Sequence, residues 1–197
     1  MSVENISAIL LAAGLSRRMG SRDKLLLEYK GMALIEHAIN LLDSLPCREK
    51  ILVTSPRHLE GISLPAGIAT VLNQNPQAGQ SESLRLGLGA ATGQWYLFLN
   101  ADQPRLELAA LLPFFELSRT NQGKIIYPTV EGNPCSPTLF PASFREELLA
   151  QTGDAGGRAV RAAHPQVCLA FETDIPEDFA DIDGPQDYSK LTTHTNR

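Results

Sequence analysis

Short apolar runs alternate along this chain with stretches whose hydrophobic residues recur at helical spacing, and no other property restricts the fold as much. A run such as Ile9 to Ala13 has no polar alternation, so both of its faces must be covered. Helices laid on a largely parallel sheet give that cover, which predicts an α/β layered domain. The predicted strands are Ser7 to Ala13, Lys50 to Thr54, Ala69 to Leu72, Trp95 to Leu99, Lys124 to Tyr127, Thr138 to Phe140 and Val167 to Phe171.

Between them the helical period runs from Met32 to Leu45, through Leu34, Ile35, Ala38, Ile39, Leu41 and Leu42, until Pro46 stops it. Ser81 is placed to cap a second helix, with Leu84, Leu88 and Ala91 on one face and Gly93 at its end. A third spans about Leu106 to Arg119, two short patches cover Phe144 to Ala150 and Ala155 to Ala163, and a last helix follows Pro185. Glu131-Gly132-Asn133 reads as a turn. One domain is expected over residues 1–191, with 192–197 as a frayed polar tail.

Composition narrows the function. With 43% hydrophobic and 20% charged residues the chain is not of the disordered class, and its net charge of -5 offers no general nucleic-acid surface. Cys47, Cys135 and Cys168 are far apart and make no CxxC pair, as expected of a reduced, cytoplasmic protein. The first apolar run is too short to cross a membrane, and no membrane partner is expected. His37, His58, His164 and His194 show no ligand spacing and read as structural or surface residues. Cys135, near a candidate substrate loop, reads either as a reactive thiol or, as favoured, a small, partly buried residue.

Four groups of residues could carry chemistry. Leu11-Ala-Ala-Gly-Leu-Ser-Arg-Arg-Met-Gly20, continuing to Lys24, leaves a buried strand with two glycines and brings Arg17, Arg18, Arg22 and Lys24 together. Backbone N–H groups and cations crowded at the carboxyl end of a strand suit a triphosphate. The spacing fits neither GxxxxGK[ST] nor GxGxxG. Asn100-Ala-Asp102-Gln-Pro104 then puts a carboxylate at the tip of an apolar strand, where it could hold Mg²⁺ together with phosphate oxygens. Asp181-Ile-Asp183, read as extended, offers either carboxylate as a second ligand, while Asp187 falls in the first turn of the last helix. Asn75 to Arg85, with Gly79, Gln80, Ser81 and Ser83, combines close backbone approach with hydrogen-bonding groups for a base or ribose.

Taken together these motifs resemble the molybdenum-cofactor nucleotidyltransferases and their MobA/MocA-like relatives, from Ile9 to about Asp187. The matching elements are LAAGxSxRMGxxK at Leu11 to Lys24, Gly79 with Ser83-Leu-Arg-Leu-Gly-Leu88, and DxP at Asp102 to Pro104. GDxGxR is similar to Gly153 to Arg158, and DIDTPED to Asp181 through Asp187. The resemblance implies a doubly wound, Rossmann-related fold like that of nucleotide-diphospho-sugar transferases, with a Mg²⁺-held nucleoside triphosphate. It implies catalytic roles for Arg18, Lys24 and Asp102, metal ligation by Asp102 with Asp183 or Asp181, and nucleotide contacts from Leu11, Ala12, Ala13, Gly14, Ser16, Arg17, Gly79, Gln80, Ser81 and Ser83. Ala13, in LAAG rather than LAGG, favours CTP over GTP in this family. Molybdopterin is the implied acceptor, and a molybdoenzyme or its chaperone the implied protein partner.

Three departures bear on the acceptor. Gly132-Asn-Pro-Cys-Ser-Pro137 stands where a histidine-containing GxPGHP-like segment is usual, Gly184 replaces threonine, and Asn100-Ala replaces an apolar pair. The expected reaction is in-line attack by an acceptor phosphate on the α-phosphorus, a nucleophile already ionised and in no need of a strong base. The alternatives are a GTP-using molybdopterin guanylyltransferase, a sugar-phosphate nucleotidyltransferase, a glycosyltransferase of related fold, and a non-catalytic nucleotide- or cofactor-binding protein.

Overall fold

The computed structural model describes residues 5–20 and 22–193. In chain order its elements are β1 (Ile6–Ala12), β2 (Glu28–Tyr29), β3 (Met32–Ala33), α1 (Leu34–Ser44), β4 (Glu49–Thr54), β5 (Ile68–Leu72), α2 (Gln80–Ala90) and β6 (Trp95–Asn100). There follow α3 (Leu108–Thr120), β7 (Ile125–Val130), β8 (Asn133–Pro134), β9 (Thr138–Pro141), α4 (Arg145–Leu149), α5 (Gly156–Ala163), β10 (Cys168–Glu172) and α6 (Pro185–Thr193). The main sheet runs β10-β7-β9-β6-β1-β4-β5, with β8 paired to β7.

Pairing is parallel from β6 through β1 and β4 to β5, and again between β7 and β10. β9 alone breaks the direction within the main run, lying antiparallel to both β6 and β7. The α/β, mostly parallel, single-domain expectation therefore describes the molecule.

Burial on both faces of β1 explains the unbroken apolar run. Ala8, Leu10 and Ala12 pack in one layer with Ile35, Ile39 and Leu42 of α1 and Leu111 and Phe114 of α3. Ile9, pointing the other way, packs with Leu84 and Leu88 of α2, Leu148 of α4 and Val160 of α5. The central strand thus holds a layer of helices on each side, and its C-terminal end is fixed in space before any loop is considered.

Several boundaries differ from the sequence reading. Met32 and Ala33 belong to a small hairpin, and α1 begins at Leu34 with the Glu36 carboxylate accepting from the Ala33 N–H at 2.7 Å. Ser81 does not cap α2. The cap is Gly79, and the N–H groups of Gln80 and Ser81 are taken by the Asp154 carboxylate at 3.2 Å and the Gly153 carbonyl at 3.0 Å. α2 ends at Ala90, before Gly93. Glu131 and Gly132 both have positive φ, as a tight hairpin requires, and the turn predicted there leads into β8. Asp181 to Asp183 form no strand, being tied among the described residues by a single backbone bond from the Ile182 N–H to the Asp102 carbonyl at 2.9 Å, so the same-side argument from strand alternation does not apply. Thr192 and Thr193 close α6 rather than beginning a tail, while His194 and the rest of 194–197 lie outside the described residues. Among the described residues no helix is long and apolar enough to cross a membrane.

Candidate active site

Parallel pairing brings several chain segments to one edge of the sheet. Ala12 lies in register with Thr54, and Leu11 with Asn100, so the loops leaving β1 and β6 start side by side. They border a cavity of about 380 Å³. Leu11, Ala13, Gly14, Ser16, Arg17, Arg18 and Lys24 line it from the first loop, Gly79, Gln80 and Ser83 from the second, and Asp102 and Asp183 from the far side. Three of the predicted residues do not line it: Ala12, Ser81 and Asp181. The Ala12 carbonyl instead accepts from Thr54 and faces the His58 ring, and Ser81 is buried under the Gly153 loop. Of the four crowded cations, Arg22 is exposed and away from the cavity.

The two loops use their small residues differently. A Cβ added at Gly14 would meet no protein atom within 4 Å, so the open space beside it is part of the cavity rather than packing. At Gly79, with φ +94°, an added Cβ would come within 2.4 Å of the Gly153 carbonyl group. The close approach predicted at Gly79 is therefore made by the protein's own backbone. Ser83 is likewise engaged, accepting from Asn73 Nδ2 at 2.9 Å.

Opposite charges converge where the loop meets Asp102. Lys24 Nζ donates to Asp102 Oδ2 at 2.5 Å and lies 3.7 Å from Asp183 Oδ1. Arg18 Nη1 donates to Asp183 Oδ2 at 2.5 Å. The second oxygen of Asp102, Oδ1, is buried and has no hydrogen-bond partner among the described residues. A carboxylate oxygen in that position is costly unless a donor or cation reaches it, so the site fits a divalent ion. Among the described residues no three His, Cys, Asp or Glu side chains gather closely enough to form a metal cage. An ion there would need ligands from elsewhere, as Mg²⁺ commonly takes from phosphate oxygens.

Asp181 faces a neighbouring cavity of about 290 Å³ with Arg105, Asp187 and Lys190. Part of the residue meets solvent, yet the protein around its carboxyl, followed by the charges of Asp102 and Asp183, pushes its pKa up to about 7. Three carboxylates thus crowd one corner of the molecule with Lys24 as the cation between them.

Sequence reading left some lining residues out. Asn100 donates to Ser136 Oγ at 3.1 Å, and Gln103 Nε2 donates to the Ser136 carbonyl at 3.1 Å, which fastens the segment 132–137 beside the site. Arg158 and Asp154 line the cavity from α5 and the loop before it. Arg158 was visible as the end of a GDxGxR match, but nothing local to it indicated the cavity. Cys135 is not activated: burial, and then the Asp181 charge, push its thiol up to about 11.

The family described as the MobA-like NTP transferase domain matches residues 8–167. The chain belongs to that family. It is accordingly a nucleotidyltransferase domain, with the fold and the cavity edge just described. It is similar to a protein of Pseudomonas syringae pv. syringae named molybdenum cofactor guanylyltransferase, at 32% identity over 195 residues, covering 97% of this chain and 95% of that one. A Pseudomonas aeruginosa protein of the same name is 34% identical over 105 residues, 53% of this chain, and the match spans only 52% of that protein's length. The fold also matches that of Mycobacterium tuberculosis Rv0371c in complex with manganese, with TM-score 0.75 and 20% identity over 96% of this chain and 98% of that one.

Proposed function

We propose that this chain transfers a nucleoside monophosphate from a nucleoside triphosphate to the phosphate of a molybdopterin-type acceptor, releasing pyrophosphate. The observation that carries this reading is the convergence of Arg17, Arg18 and Lys24 with the unpartnered oxygen of Asp102 around a cavity that Gly14 leaves open. The acceptor class is supported by the names of the Pseudomonas relatives.

In the proposed step an acceptor phosphate oxygen forms a bond to the α-phosphorus while the bond from that phosphorus to the bridging oxygen breaks. The electron pair leaves with pyrophosphate. Lys24 and Arg18, which rest on Asp102 and Asp183, turn to the β- and γ-phosphates and stabilise the leaving charge. Asp102 and Asp183 are the residues that would hold Mg²⁺, which when bound neutralises phosphate charge. Backbone N–H groups of the loop orient the triphosphate. Arg158, which lines the same cavity from α5, has no carboxylate within ion-pair distance among the described residues and is assigned to the acceptor phosphate.

The donor base is proposed to be cytosine. Ala13 is buried against the cavity, and its methyl narrows the space a base can occupy relative to glycine. The guanylyltransferase names of the relatives favour a second reading, in which GTP is the donor. A matrix of the four nucleoside triphosphates against molybdopterin and several sugar phosphates, scored by pyrophosphate release, tests all of this. Release with CTP and molybdopterin is expected. Release with GTP alone would replace the donor, release with a sugar phosphate alone would replace the acceptor, and none with any pair would sink the proposal.

A further inference from the structure

We propose that His58 and Asp23 are positioning residues that fix the shape of the loop 13–24 from behind, so that a pair outside the cavity sets nucleotide affinity. The inference rests on reading that loop as the triphosphate site. Neither residue lines the cavity.

The geometry is specific. His58 is fully buried in the turn after β4. Its Nδ1 lies 2.7 Å from the Ala12 carbonyl oxygen and 3.0 Å from Ser55 Oγ, and its Nε2 lies 2.7 Å from Asp23 Oδ2. A carbonyl and a carboxylate can only accept, so the ring satisfies both when each nitrogen carries a proton. The His58 ring thus joins the end of β1 to the far limb of the loop.

Asp23 spreads that anchor along the loop. Its Oδ1 accepts from Ser16 Oγ at 3.0 Å and from the Leu25 N–H at 3.2 Å, and the Ser16 hydroxyl oxygen accepts in turn from the Lys24 N–H at 3.0 Å. Arg57 Nη2 lies 3.0 Å from Asp23 Oδ2 and donates to the Gly14 carbonyl at 3.1 Å. The entry, the bend and the exit of the loop are therefore all bonded to one His–Asp–Arg group. Ser16 needs such support, because it holds a left-handed φ of 51° that a residue with a Cβ adopts only when its surroundings impose it. A buried ion pair is weak evidence for stability, but it can select one conformation over others. Here the selected conformation is the one that presents Arg17, Arg18 and Lys24 to the cavity.

The test pairs calorimetry with nuclear magnetic resonance on the full chain. In the wild type, ring ¹⁵N signals of His58 are expected to show both nitrogens hydrogen-bonded; a ring nitrogen free of any partner would overturn the anchor. His58→Gln can donate to only one of the two acceptors, and it is expected to weaken Mg–CTP or Mg–GTP binding by roughly tenfold to a hundredfold, the loss of about one hydrogen bond to a charged group. The KM for the acceptor is expected to stay unchanged. If His58→Gln does not fold, Arg57→Gln, at a partly exposed position, decides by the same measurement. Wild-type affinity in the folded variant would overturn the inference. Absence of binding of either nucleotide to the wild type would instead overturn the triphosphate reading, and this inference with it.

Discussion

The loop from Ala13 to Lys24 and the hairpin around segment 132–137 are built on different plans. From Ala13 to Lys24 the bends are fastened by Ser16, Asp23, Arg57 and His58, and the charges are closed on Asp102 and Asp183. In the segment 132–137, Gly132, Asn133 and Pro134 are exposed, and Ser136 carries the connection to the cavity through Asn100 and Gln103. A region held at several points presents one geometry to a ligand. The 132–134 tip is tied through its backbone, to β7 and to Glu172, so its exposed side chains can be exchanged without disturbing the sheet. Under the proposed function, the donor would meet the multiply bonded part of the molecule and the acceptor a part whose exposed side chains tolerate change.

The sharpest way to break this comparison is Asp102→Ala. It is expected to lower pyrophosphate release by about a thousandfold or more while the fold is kept, on the scale of losing a principal electrostatic contact. Turnover close to wild type in saturating Mg²⁺ would remove Asp102 from the mechanism. Arg158→Gln comes next: the KM for the acceptor should rise about tenfold with the KM for the triphosphate unmoved, the loss of one charge-assisted contact. Equal rises in both would place Arg158 on the donor side. Ala13→Gly should move the CTP-to-GTP ratio of kcat/KM toward GTP by several-fold to roughly tenfold, since one methyl in a pocket discriminates by little more. An unchanged ratio would show that the base is read elsewhere.

The smallest effect concerns acid stability. Burial works against the charged form of the Asp23 carboxyl, but the hydrogen bond and charge of His58, the Ser16 hydroxyl and Arg57 outweigh it and hold the pKa below the usual 3.8. A depressed carboxyl contributes stability that is present above the unfolded value and lost as pH falls through it toward the folded one. Urea midpoints measured down through that range should therefore fall more steeply for the wild type than for Asp23→Asn. Parallel curves would mean that Asp23 does not carry the linkage.

Legibility followed the same division. Leu11 to Lys24 is contiguous, so its glycines and cations could be seen together in the sequence, and the structure places Arg17, Arg18 and Lys24 on one cavity. Asp102 was readable because an apolar strand ends just before it. The parallel half of the sheet was legible from its apolar runs, but the reversal at β9 was not, since a strand's direction is decided by the partners it meets. Asn100 and Ser136 come together because that reversal places the 132–137 segment beside β6. His58 was set aside as structural because its partners are 35 and 46 residues away, at Asp23 and Ala12. Gly79 was noticed for the right property, close approach, but its neighbour, the Gly153 loop, could not be known from local spacing.

The bond between Arg18 and Asp183 joins positions 165 residues apart. During synthesis the cationic loop and β1 leave the ribosome well before the carboxylate set against them. A nascent chain halted before Asp183 carries the loop without that counter-charge, however well its first strands have paired. The finished arrangement of charge is thus a property of the late-made segment folding back on the early one.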